Sequence, residues 1–99
     1  MKRCQFGELE FCWDERKASL NFRKHGVRFE EAVTVFVDPF ARLYDDPDHS
    51  GAEERFLLVG HSLSDRMLLA VHAEKGDTIR IVSARRTTPC ERTDYGTDA

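Results

Sequence analysis

Apolar and polar residues alternate through Leu9-Glu10-Phe11-Cys12-Trp13, the period-two pattern of a short strand. The pattern then changes. Asp14 is a favourable N-cap and Glu15 suits the positive end of a helix dipole, so a helix is predicted through Lys17, Ala18, Leu20 and Asn21 to Lys24 and His25. Gly26 supplies the left-handed residue that ends it. Phe29, Ala32, Val33 and Phe36 recur at helical spacing, with Glu30 and Glu31 near the start, and predict a second helix. Asp38-Pro39 stops it, because the residue before proline avoids helical geometry.

Strand character returns around Ala41 to Tyr44, followed by a polar loop from Asp45 to Gly51. Three apolar, β-compatible runs come next: Arg55 to Gly60, Arg66 to Ala73, and Thr78 to Ala84. Turns at Ser62–Asp65 and Glu74–Asp77 separate them, and such short connections favour antiparallel neighbours. Thr88-Pro89-Cys90-Glu91 carries a capping threonine, a proline at the first helical position and a glutamate three residues after the cap, which predicts a last, short helix. The expected architecture is α+β: a small antiparallel β-sheet packed with two N-terminal helices and a short C-terminal helix. Without repeats, low-complexity tracts or a linker, residues 1–99 are expected to form one domain.

Composition narrows the setting. A third of the 99 residues are charged, and no apolar run approaches the roughly twenty residues that span a bilayer. Met1 to Gly7 holds a basic pair with no apolar stretch behind it, unlike a secretory signal, so a cytoplasmic protein away from membranes is expected. Cys4, Cys12 and Cys90 are odd in number, far apart and without ligand spacing, which points to reduced thiols.

The net charge of −3 is unusual for a nucleic-acid binder, but its distribution matters more. Acidic residues crowd between Asp38 and Glu54, whereas basic ones gather at Arg23-Lys24-His25 with Arg28, and at Arg80, Arg85, Arg86 and Arg92. No metal site is expected: the four histidines form no His-x-x-x-His pair, and Asp45, Asp46 and Asp48 lack the glycine and terminal glutamate of an EF-hand. No phosphate-binding glycine loop or nucleophile elbow is present, and no cofactor is implied.

Strict alternation along Thr78 to Arg86 puts Arg80 and Arg86 on one face with Val82 and Ala84, and Arg85 on the other with Ile79, Ile81 and Ser83. Either face could be the core. A guanidinium there needs a carboxylate, a phosphate or solvent, and salt bridges to Glu91 or Glu74 are the structural reading. Lys24-His25 likewise has two readings. Basic residues ahead of a C-terminal glycine are ordinary helix-ending chemistry, but an imidazole also suits proton transfer near neutrality. RNA cleavage through the 2′-hydroxyl needs proton removal, stabilisation of charge on phosphorus and protonation of the leaving oxygen. Histidine serves the first or third need, and arginine the second.

Several segments together resemble the BrnT family of toxins from type II toxin–antitoxin pairs. The likeness runs through Phe11-Cys12-Trp13-Asp14-Glu15-Arg16-Lys17, Asn21-Phe22-Arg23-Lys24-His25-Gly26-Val27, Phe29-Glu30-Glu31-Ala32 and Asp38-Pro39. It resumes at Asp48-His49-Ser50, Glu54-Arg55-Phe56, Gly60, Arg80-Ile81-Val82-Ser83-Ala84-Arg85, Glu91-Arg92 and Tyr95. The resemblance implies a RelE-like fold, metal-independent ribonuclease activity that inhibits translation, and neutralisation by a DNA-binding antitoxin of ribbon-helix-helix type. Operator DNA would be met only through that antitoxin. Carried over by position, Lys24, His25, Arg55 and Arg85 are placed at the scissile phosphate, and Arg66, Arg80 and Arg86 on backbone phosphates.

Three positions depart from the family pattern. Arg28 stands where a capping residue is expected, the Asp38–Glu54 stretch is acidic and would have to face away from RNA, and Pro89-Cys90 replaces a polar run. The competing readings are a non-catalytic antitoxin-binding protein acting in transcriptional autoregulation, and an unrelated small domain whose arginines are structural.

Overall fold

The computed structural model describes residues 1–46 and 53–91. Within them, strands β1 (Lys2–Phe6) and β2 (Leu9–Trp13) form a hairpin, followed by helices α1 (Glu15–His25) and α2 (Phe29–Thr34). A 3-10 turn (Val35–Val37) extends α2, and strands β3 (Arg42–Asp45), β4 (Phe56–His61), β5 (Met67–Lys75) and β6 (Thr78–Arg86) complete the order. No helix among the described residues is long and apolar enough to cross a membrane.

The local end signals act as read. Asp14 Oδ1 accepts from the backbone N–H groups of Arg16 at 2.8 Å and Lys17 at 3.2 Å. These bonds favour the ionised form and hold its carboxyl below the ordinary value. Gly26 ends α1 with φ 69°, a left-handed conformation that costs a residue without a Cβ little, and its N–H reaches Phe22 O at 2.8 Å. At the other end of the chain, Thr88 and Glu91 form a reciprocal cap: Thr88 N–H donates to Glu91 Oε1 at 2.8 Å, and Glu91 N–H to Thr88 Oγ1 at 3.3 Å. Residues 89–91 are helical, while the remainder of the expected last helix, from Arg92, and most of the polar loop, including Asp48 and His49, lie outside the described residues.

The sheet corrects one expectation. It has six strands in the order β1-β2-β6-β5-β4-β3 and is mixed rather than antiparallel. The two antiparallel pairings expected across the short turns, β4–β5 and β5–β6, are present and β3 adds a third on β4, but β2 lies parallel to β6, pairing Glu10–Cys12 with Thr78–Arg80. The long excursion through both helices and three strands between β2 and β6 is what allows the parallel pair. The hairpin partner β1, where Cys4 and Phe6 alternate toward the core, is an addition to the expected strands.

A second correction concerns the faces of β6. Val71 and His72 are consecutive in β5 but pair with Ser83 and Ile81, so Val82 is an extra, bulged residue. The bulge puts Ile81 and Ala84 on the same face, where both are buried. Arg80 and Arg85 consequently share the opposite face, and Arg86 points with Ala84. Strict alternation gives the reverse grouping because one inserted residue flips everything beyond it.

Both helices pack on the Ile81–Ala84 face. Val27, Ala32 and Val35 meet Leu58, Leu68, Ala70 and Ala84, and beside them Phe29 and Val33 meet Phe11, Trp13 and Ile81. Each of these large side chains contributes about 1.5–3 kcal/mol when fully buried. Gly60 sits beneath the turn after the helices, where an added Cβ would stand 2.8 Å from Asp38 Oδ2 and 2.9 Å from Ala41 Cβ. That close approach lets the Asp38 carboxylate accept from His61 N–H at 2.7 Å and Phe40 N–H at 2.9 Å, joining the helix exit to β4.

Candidate active site

α1 is hydrogen-bonded to the sheet through the side chain of Asn21. Because β2 pairs only with the first residues of β6, the outer edge of β6 at Ala84 has no strand beside it among the described residues. Asn21 is there instead, buried, with Nδ2 donating to Ala84 O at 2.8 Å and Oδ1 accepting from Ala84 N–H at 3.0 Å. Its remaining donor goes to Val27 O at 3.0 Å. The carboxamide thus replaces a strand's edge, and it fixes the last turn of α1, with Arg23, Lys24 and His25, beside the end of β6 that carries Arg85 and Arg86.

Arg66 closes the corner from a third side. Its Nη2 donates to Gly26 O at 3.1 Å, and its Nε donates to Glu31 Oε2 at 2.9 Å, while a second prong grips Glu31 Oε1. Ser62 Oγ also donates to Glu31, at 2.7 Å. The Arg66 guanidinium holds the Glu31 carboxyl below its ordinary value against the opposing effect of burial, and the charge of Arg86 adds to this. Arg86 pairs across the sheet with Leu68, two residues beyond Arg66. Lys24, His25, Arg66, Arg85 and Arg86 therefore gather at one end of the molecule.

Arg85 faces away from the helices and grips Glu91 with both prongs, Nη1 to Oε1 at 3.0 Å and Nη2 to Oε2 at 2.8 Å. This is one of the two salt-bridge partners expected from the sequence. The hydrogen bonds push the Arg85 pKa up and the Glu91 pKa down. The same fork geometry suits a phosphate as well as a carboxylate.

Arg55 and Arg80 lie elsewhere. Both approach Glu53: Arg80 Nη2 is hydrogen-bonded to Oε1, and Arg55 Nε stands 3.8 Å from the same oxygen. Arg80 and Arg85 pair with Ala73 and Leu69 of β5, a separation of roughly 13 Å at about 3.3 Å per residue. Five of the seven expected residues lie toward one end of β6, Arg85 on the sheet face opposite Arg86 and the helices, and Arg55 and Arg80 lie toward the other end. Sequence reading gave no role to Asn21, Glu31 or Glu53. A polar residue on the inward stripe of α1 was the available signal for Asn21; the two acids claim arginines 35 and 27 positions away, a distance over which no local pattern operates. Among the described residues no group of three or more His, Cys, Asp or Glu side chains is placed to hold a metal ion.

Comparison with known proteins places this geometry in a family. The model of the BrnT family, described as ribonuclease toxins of type II toxin–antitoxin systems, matches residues 13–91, a stretch that includes every residue of the corner. The chain belongs to the BrnT family. Its fold is also similar to the 1.1 Å crystal structure of the Brucella abortus ribonuclease toxin BrnT, with a TM-score of 0.61 and 20% identity over 79% of this chain and 95% of that one. The search of curated proteins found no match. BrnT membership implies an RNA substrate and an antitoxin partner.

Proposed function

We propose that this BrnT-family chain cleaves RNA without a metal ion, at the corner where α1 and β6 end. The observation that carries the reading is the Asn21–Ala84 tie, which holds the last turn of α1, with Lys24 and His25, against the edge of β6 one residue before Arg85. A base removes the proton of the RNA 2′-hydroxyl, the oxygen attacks phosphorus, and the 5′-oxygen leaves with a proton, giving a 2′,3′-cyclic phosphate. His25 supplies one of the two proton transfers. Arg85 exchanges Glu91 for the scissile phosphate, and with Lys24 it stabilises the extra charge. Arg66 and Arg86 lie where they would meet the adjoining backbone, and Arg55 and Arg80 a more distant phosphate along β6.

In this reading residues 1–99 act as one domain of RelE-like fold, in the cytoplasm, where RNA cleavage inhibits translation. A ribbon-helix-helix antitoxin neutralises the chain by covering the corner and carries the complex to operator DNA. The test is cleavage of a short RNA and of the same RNA with 2′-O-methyl groups. Cyclic-phosphate ends from the first and none from the second are expected. Equal cleavage of both would refute the internal-attack mechanism. A folded chain that binds the antitoxin but cuts neither would point to the binding-only role.

A further inference from the structure

A separate cleft lies away from that corner. It opens on the flank of α1 away from Asn21, with a volume of about 490 Å³. Its floor is aromatic and rigid: Trp13 and Phe29 are buried and meet edge to face, with ring centroids 5.9 Å apart. Its wall is Phe22, which is 42% exposed although it sits in a well-formed helix. The Arg28 guanidinium stacks on that ring, 4.3 Å from the centroid. Arg28 is the residue that occupies the N-cap of α2 without making a cap hydrogen bond, so its side chain serves the cleft and not the helix.

Three cations lie along one path from the cleft toward the corner. Arg66, Arg80 and Arg85 are each held by a glutamate, but among the described residues Arg23, Lys24 and Arg28 have no ion-pair partner. Arg23 and Arg28 line the cleft, and Lys24 lies next to Arg23 on the turn that leads to the corner. An exposed aromatic face, a stacked guanidinium and unneutralised cations along one path are the chemistry that holds a single-stranded polynucleotide. Glu15 and Glu30 at the rim discourage a phosphate from entering the cleft itself and offer acceptors to the amino group of a base.

We infer that the Phe22–Arg28 cleft is a subsite for one unpaired base of the RNA, stacked on Phe22 and Arg28, while the strand continues past Lys24 to the corner. This rests on the ribonuclease reading. It makes Phe22 and Arg28 substrate-positioning residues and gives a reason for the arginine that breaks the helix-capping pattern.

The probe is a single-stranded 2′-O-methyl oligoribonucleotide carrying 2-aminopurine, titrated into wild type, Phe22→Ala, Phe22→Trp and Arg28→Gln. Loss of a stacking partner is expected to weaken binding roughly five- to a hundred-fold in Phe22→Ala, with Phe22→Trp restoring it and Arg28→Gln intermediate. The 2-aminopurine fluorescence is quenched on binding to wild type and less so in Phe22→Ala. In cleavage of unmodified RNA the Phe22→Ala defect falls mainly on KM. Binding, quenching and KM unchanged in Phe22→Ala, with wild type cleaving RNA, would overturn the subsite and leave the nuclease reading standing. A wild type that neither binds nor cleaves RNA would remove both. A Phe22→Ala variant that keeps RNA binding but loses the antitoxin would assign the cleft to the protein partner and overturn the proposal.

Discussion

The carboxamide of Asn21 and the backbone of Ala84 exchange two hydrogen bonds, at 2.8 and 3.0 Å, 63 residues apart in sequence. A strand neighbour would satisfy the same two backbone groups, but a helix can do so only with a side chain that both donates and accepts at short reach. Aspartate lacks the donor, and glutamine is a methylene too long for the same backbone. Asn21→Ala leaves buried backbone groups unsatisfied, each costing about 1–3 kcal/mol. A loss of about 2 kcal/mol or more in urea denaturation is expected, and Asn21→Asp should not restore it.

Release of Arg85 should help RNA bind. Glu91 competes for the guanidinium that the proposed mechanism assigns to phosphate, so Glu91→Gln is expected to lower KM for RNA several-fold. Both partners of this pair are partly solvent-exposed, and the stability change should be small beside that of Asn21→Ala. Arg85→Lys keeps the charge but loses the fork, and should cleave far more slowly. Steady-state kinetics on the three proteins separates these effects.

Gly60 is expected to be intolerant of even one methyl group. A Cβ there would meet the Asp38 carboxylate at 2.8 Å, Ala41 Cβ at 2.9 Å and Val35 Cγ1 at 3.1 Å, displacing the acceptor of the His61 and Phe40 N–H groups. Overpacking of this kind costs about 1–3 kcal/mol. Thermal unfolding of Gly60→Ala would show it as a lower Tm.

Acid should destabilise the fold in two stages. Burial between Phe36 and Phe56 lowers the pKa of His72, and the Ala70 backbone and the Glu74 charge oppose this without reversing it. The unfolded chain therefore takes up this proton first, and stability declines as pH falls below about 6.5. Glu31 and Glu91 are also held low, by Arg66 and Arg85, so their contribution is complete above the ordinary value of 4.5 and is lost as pH falls through their lower folded-state values. Urea midpoints between pH 8 and pH 4 should show both declines, and His72→Phe should abolish the first only.

What the sequence made legible was local. Asp14, Gly26, Pro39 and the Thr88–Glu91 pair each mark an element's end through bonds within a few residues, and the helices and the last cap lie where those signals put them. The parallel β2–β6 pair was not legible, because nothing near Phe11 refers to Ile79. Nor was the bulge: Val82 is an ordinary strand residue, and only the joint burial of Ile81 and Ala84 requires it. At the site, the likeness to the family brought Lys24, His25 and Arg85 into one list, and Asn21 ties the helix that carries the first two to the strand that carries the third. Arg55 joined that list through the likeness alone, and Glu53 draws it together with Arg80 toward the far end of β6.

The most direct test of the account is RNA cleavage by the purified, folded chain in excess chelator, beside Arg85→Ala and His25→Ala variants whose folding is checked by circular dichroism. The account predicts cutting that survives the chelator and falls about 10²-fold or more in each variant. Cutting that stops with the chelator, or that persists undiminished in the two folded variants, would contradict it.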